Sequence, residues 1–89
     1  MEKGDIVSVV TVSGEYVGIL ESHEDSNVVL KKPRMIVNTQ EGMGFAHGIA
    51  VTCEANPEEV VFNNVVFVIP TNEQVAKSHT EATTNIQLV

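Results

Sequence analysis

Short runs of β-branched residues, each closed off by glycine, asparagine or proline, constrain this chain more than any other feature. Gly14-Glu15-Tyr16-Val17-Gly18-Ile19-Leu20 leads through a polar loop to Asn27-Val28-Val29-Leu30, and Asn63-Asn64 opens Val65-Val66-Phe67-Val68-Ile69. Valine fills sixteen of the 89 positions and tryptophan is absent. β-Branched side chains are stiff at χ1 and fit a pleated, half-buried surface better than a helix. Short strands at this spacing, broken by turn residues, call for a small, strongly bent antiparallel sheet that is closed or nearly closed.

The chain divides into five expected strands. Asp5–Ser13 is the first, apolar on both faces, and Ser13-Gly14 supplies a tight turn in which glycine can take positive φ. Glu15–Ser22 is the second, and Gly18 at its centre marks a bend, a bulge or a close backbone approach. His23-Glu24-Asp25-Ser26 is a polar loop, and Asn27–Asn38 is a third strand disturbed by Pro33, which cannot donate to a ladder. Residues 40–48 are a glycine-rich connection, Ile49–Glu54 is a fourth strand, and Ala55–Glu58 breaks it at Pro57. Glu59–Phe62 is a short apolar run, Asn63-Asn64 is a turn with positive φ, and Val65–Ile69 is the last strand. After Pro70, Thr71 and Gln74 have the spacing of a capping box for a helix through about Ser78. The expected organisation is a β-barrel domain over residues 1–70 and a short helix with a flexible Thr-rich tail over residues 71–89. Strand pattern alone leaves both an SH3-like and an OB-type barrel open.

The balance of charge limits the function classes. Twelve acidic and five basic side chains give a formal charge of −7, opposite to the basic surplus of a general polyanion binder. One cysteine, Cys53, allows no internal disulfide; in a strand-like run it reads as a small buried hydrophobe. No signal peptide is visible, and no apolar run approaches the roughly 18 residues of a membrane span, so a cytoplasmic protein is expected. His23, His47 and His79 have no metal-ligand spacing with one another or with Cys53. Ser22 and His23 are neighbours that point to opposite faces of a strand, so they make no nucleophile-base pair. Gly42, Gly44 and Gly48 precede a strand, which argues against a nucleotide-binding fingerprint. Neither an enzyme, a cofactor nor a metal is expected. Met43 and Phe45 in that loop either dock on a partner or tuck over the core.

The order of these motifs resembles the Sm-like (LSm) family, which includes the bacterial Hfq ring. Gly14, Gly18, Ile19-Leu20, Asn27 and Val28-Val29-Leu30 fill the places of its first motif, and Asn63-Asn64-Val65-Val66-Phe67-Val68 matches the later half of its second. The similarity runs from about Val7 to Ile69, and more narrowly the chain resembles a divergent Sm-like protein of cyanophage type. Five departures stand out. The spacing between the two motif glycines and the loop before Asn27 are each one residue short; Ser26 occupies the place of a base-stacking side chain; the Arg-Gly pair falls on Val61 and Phe62; and Met1–Gly4 leaves no room for a helix before the first strand.

The resemblance implies a homo-oligomeric ring of roughly five to eight subunits, closed by strand pairing between neighbours. Ile49, Val51, Val65, Phe67 and Ile69 would form the interface. It also implies single-stranded RNA at the loops joining strands two to three and four to five, in a chaperone or RNA-metabolism role. The residues at hand there are His23 as a ring, and Asn27, Asn63 and Asn64 as amides able to read a base edge. The competing reading makes the three asparagines turn residues that satisfy their own backbone. Lys31, Lys32 and Arg34 are the one basic cluster, which either supplies electrostatics around a ring or forms a solvated face balanced by nearby acids. The alternative function is a phage or host protein-interaction ring of the same fold that has lost RNA.

Overall fold

In the computed structural model, which describes residues 1–46 and 48–84, six strands and one helix follow one another. They are β1 (Ile6–Thr11), β2 (Gly14–Glu24), β3 (Asn27–Thr39), β4 (Gly42–Phe45), β5 (Glu59–Phe62), β6 (Phe67–Pro70) and α1 (Glu73–Thr84). All pairings are antiparallel, in the order β4-β3-β2-β1-β6, and β5 joins β3 beside its first half. The protein is therefore a small all-β domain with a C-terminal helix. The sheet bends strongly but does not close, because β6 ends one side of it and β5 the other.

The core sits inside the bend. Val7 and Val9 of β1 lie opposite Gly18 and Tyr16 of β2, so these residues share one face. Val7, Val9, Leu20, Val28 and Leu30 are buried there, with Val60, Phe62, Val65 and Val68 closing over them. Tyr16 packs against Phe62 with the rings tilted and their centroids 4.8 Å apart. The other face carries Ser8, Val17 and Ile36, and α1 lies on it through Val75. Both faces of β1 are thus covered, although Val12 projects fully into solvent at the turn.

Two irregularities produce the bend. Ile19 pairs with Lys31 and Val17 with Arg34, so Lys32 and Pro33 together oppose Gly18. This is a β-bulge, and Lys32 takes the left-handed conformation in it, with φ of 50°. A Cβ on Gly18 would lie 3.0 Å from both Leu30 Cδ1 and the Lys31 carbonyl oxygen. The central glycine is therefore the close backbone approach that its place in the strand predicts. The second irregularity leaves Glu21 as an extra residue in β2, between the pairs Leu20–Leu30 and Ser22–Val29.

Several expectations change. The strand expected over Ile49–Glu54 is absent; that stretch is a series of turns and bends, and the glycine-rich segment before it provides β4 instead. A strand needs a partner, and β3 has none free. Its second half pairs with β4 and its first half with β5. Between them lie the bulged Lys32, whose amide donates to Glu58, and Pro33, which has no amide proton. Gly48, at φ of 77°, turns the chain out, and Cys53 lies exposed in the resulting excursion rather than buried. The β2–β3 loop contracts to Asp25-Ser26, with His23 and Glu24 inside β2. Gly14 does not adopt positive φ; its constraint is Met35 Cε, which a Cβ would meet at 3.2 Å.

The helix is longer and capped differently than expected. Asn72, not Thr71, is the cap: its Oδ1 accepts from the Val75 amide at 2.9 Å. Thr71 instead shares a hydrogen bond with Ser8 at 2.8 Å, anchoring the start of the helix to β1. The Thr-rich stretch is helical through Thr84, with its hydroxyls satisfied within the helix. Thr80, Thr83 and Thr84 donate to the carbonyls of Ala76, His79 and Thr80. Val75, Ala76, His79 and Thr83 form a stripe facing the sheet at helical spacing. Of the expected flexible tail, residues 85–89 lie outside the described residues, as does His47.

Candidate functional site

Three surfaces carry the residues with functional potential. The first is the loop end of the sheet. Asn27 pairs with Glu24 at the tip of the β2–β3 hairpin, and His23 lies opposite Val28. The β5–β6 connection comes to the same end, since the Val65 amide donates to the Ser26 carbonyl at 3.2 Å. Asn64 holds the turn there with φ of 58°, as its place in the sequence predicts. His23, Asn27, Asn63 and Asn64 are all exposed, and Asp25 and Ser26 sit among them.

The basic cluster is elsewhere. Lys31 is four residues along β3 from Asn27, about 13 Å at ordinary strand rise. Lys31 Nζ pairs with Glu59 Oε2 at 3.7 Å. Arg34 Nη1 donates to the Pro33 carbonyl at 2.7 Å, and the Arg34 guanidinium is opposed by the charge of Glu58. Burial lowers the Arg34 pKa from its ordinary value, with Glu58 acting against that shift. The fold thus joins the amides and His23 in one place, and at another pairs Lys31 with Glu59 and sets Arg34 within the field of Glu58.

The second surface is the pair of sheet borders. Among the described residues, β5 pairs only with β3, and β6 only with β1. Both strands present apolar side chains to solvent: Val61 on β5 is 58% exposed, and Phe67 and Ile69 on β6 are each 51% exposed. Of the other residues expected at an interface, Val65 is half-buried and packs against the core, while Ile49 and Val51 belong to the excursion and lie on no strand. Sequence reasoning did not place Val61 at a border, because it assigned the border strand to Ile49–Glu54 and read Glu59–Phe62 only as a short apolar run. Its alternation with Val60 and Phe62, one side chain out and two in, is the signal that points to it.

The third surface is a groove of about 550 Å³ between β4 and the first half of α1. Ile36, Met43 and Phe45 line one wall, and Asn72, Gln74 and Ser78 the other. Of the two apolar residues of the glycine-rich segment, Phe45 tucks inward with its ring edge-on to His79, and Met43 remains exposed. Among the described residues, no group of His, Cys, Asp and Glu is placed to hold a metal ion, and no helix is long and apolar enough to cross a membrane.

No protein-family model matches this sequence, and no curated protein matches it either.

Proposed function

We propose that the protein is an Sm-like ring-forming module, in which β5 of one copy pairs with β6 of the next. The observation that carries this reading is the pair of one-sided strands with exposed apolar residues, Val61 on one border and Phe67 and Ile69 on the other. An open border with such side chains is a template for further strand pairing. Two different borders make the contact head-to-tail, and a head-to-tail contact either closes into a ring or grows into a filament.

The ligand of this ring, in the same reading, is single-stranded RNA at the loop end. Support comes from the convergence of His23, Asn27, Asn63 and Asn64 beside the Val65–Ser26 hydrogen bond. Amides and an imidazole would read and stack on unpaired bases, with little electrostatic contribution. A ring that engages protein rather than RNA is the second reading. It is favoured by the pairing of Lys31 with Glu59 and by the net charge of −7.

Light scattering on the purified protein, joined to fluorescence anisotropy with short U-rich and A-rich RNA, tests both parts. A discrete oligomer of several subunits supports the ring, and a stable monomer at micromolar concentration ends it. Binding that is lost on Asn27→Ala/Asn63→Ala supports the RNA reading, and no binding at low salt leaves the protein-interaction ring.

A further inference from the structure

Among the described residues, His79 is the one fully buried titratable side chain that neither the core nor the loop end uses. Its Nε2 lies 2.8 Å from the Lys32 carbonyl, so Nε2 carries the proton and donates. Its Nδ1 is buried with no partner. Phe45 presses edge-on against the ring from β4, with centroids 6.1 Å apart. The acceptor is the carbonyl of the left-handed residue of the bulge, whose amide is also held, by Glu58. This one hydrogen bond therefore ties α1 to the bulge of β3.

We propose that His79 is an acid-sensitive clasp, and that protonation of its ring releases α1 from the outer face of the sheet. A second proton would go to Nδ1, making it a donor in a closed apolar site with no acceptor. The charges that face it are adverse. From β3 they are Lys32 and Arg34, both cationic. From β4 the neighbour is the Phe45 ring, and on α1 the Thr83 hydroxyl is already donating to the His79 carbonyl. Glu58 acts on Arg34, and Glu15 of β2 lies near Val75 at the other end of the helix. Burial is the largest cause of the lowered His79 pKa, with Arg34 and Lys32 adding to it and the hydrogen bond to Lys32 opposing it. Release would uncover Ser8, Val17 and Ile36 and abolish the groove that α1 forms with β4. The device is independent of ring formation.

Amide hydrogen exchange at a series of pH values, expressed as protection factors, tests the clasp. In the full chain, protection of residues 73–84 is expected to fall below pH 6.5 by up to about tenfold per pH unit, the limit for one proton, while β1 and β2 remain protected. His79→Gln keeps an N–H donor toward Lys32 but cannot titrate, so its helix protection is expected to be level over the same range. Should that variant fail to fold, the wild-type ring is followed by NMR: a docked His79 in the Nε2–H form below pH 6.5 supports the clasp. Loss of protection in helix and strands together, an unchanged fall in His79→Gln, or a docked His79 that titrates at or above 6.5 overturns it.

Discussion

The Nε2–H of His79 donates to the Lys32 carbonyl at 2.8 Å, and Lys32 is the residue at which β3 leaves the extended conformation. The helix is thus fastened to the bulge that bends the sheet. The two residues are 47 positions apart, so the bond ties a late element of the chain to an early one.

Stability is expected to depend on pH through this contact. The folded-state pKa of His79 lies below the ordinary 6.5, because burial disfavours the charged ring. The unfolded chain therefore binds the proton first. The contribution of neutral His79 is complete above about pH 6.5 and declines as pH falls below it, with a slope of at most about 1.4 kcal/mol per pH unit. Urea denaturation of wild type and His79→Gln at pH 7.5 and 5.5 checks this: the wild type is expected to lose more stability than the variant.

Gly18→Ala is expected to destabilise the fold by about 1–3 kcal/mol. The new methyl would meet the Lys31 carbonyl oxygen at 3.0 Å, and a backbone atom within the bulge has little room to retreat. For a domain of this size each kcal/mol corresponds to roughly 4–8 °C, so a thermal melt resolves the change. A melting temperature equal to wild type would mean that the bulge is free to widen.

The left-handed backbone at Lys32 separates two substitutions that remove the same side chain. Lys32→Gly is expected to be more stable than Lys32→Ala by about 1 kcal/mol, because a Cβ is disfavoured at positive φ. In a regular strand the order would be reversed, since glycine gives up more backbone entropy. Chemical denaturation of the two variants reads the sign directly.

Charge on either border is expected to dissociate the proposed ring without unfolding its subunits. Val61 and Phe67 are each more than half exposed, so Val61→Lys or Phe67→Lys leaves the interior core intact. Size-exclusion chromatography with light scattering is expected to show smaller species, with circular dichroism unchanged. Variants that keep the wild-type mass would place the subunit contact elsewhere.

Under the proposed RNA reading, Lys31→Ala/Arg34→Ala is expected to weaken binding less than Asn27→Ala/Asn63→Ala. Lys31 already faces Glu59, and both cations lie away from the loop end. Anisotropy titrations at two salt concentrations check this. A larger loss for the cation pair, with a shallower salt slope, would move the RNA to the β3 surface.

Local chemistry was legible where a residue's own backbone preference decided the outcome. The valine runs of β1, β2 and the first half of β3 read correctly because runs of β-branched side chains favour a sheet by themselves. Gly18 read as a bend, a bulge or a close approach, and Asn63-Asn64 as a turn with positive φ, for the same reason. The segment Ile49–Glu54 has as much strand character as Gly42–Phe45 has little, yet only the second is a strand. That choice belonged to β3, whose hydrogen-bonding positions were filled on both sides of a proline-containing bulge before the apolar run could find one. His79 gives the same lesson. Among threonines it looks like part of a polar tail, and only the packing of α1 on the sheet buries it and gives its ring the Lys32 carbonyl. Strand-forming tendency is carried by single residues and their neighbours in the chain, whereas partner, burial and protonation depend on what distant segments bring into contact.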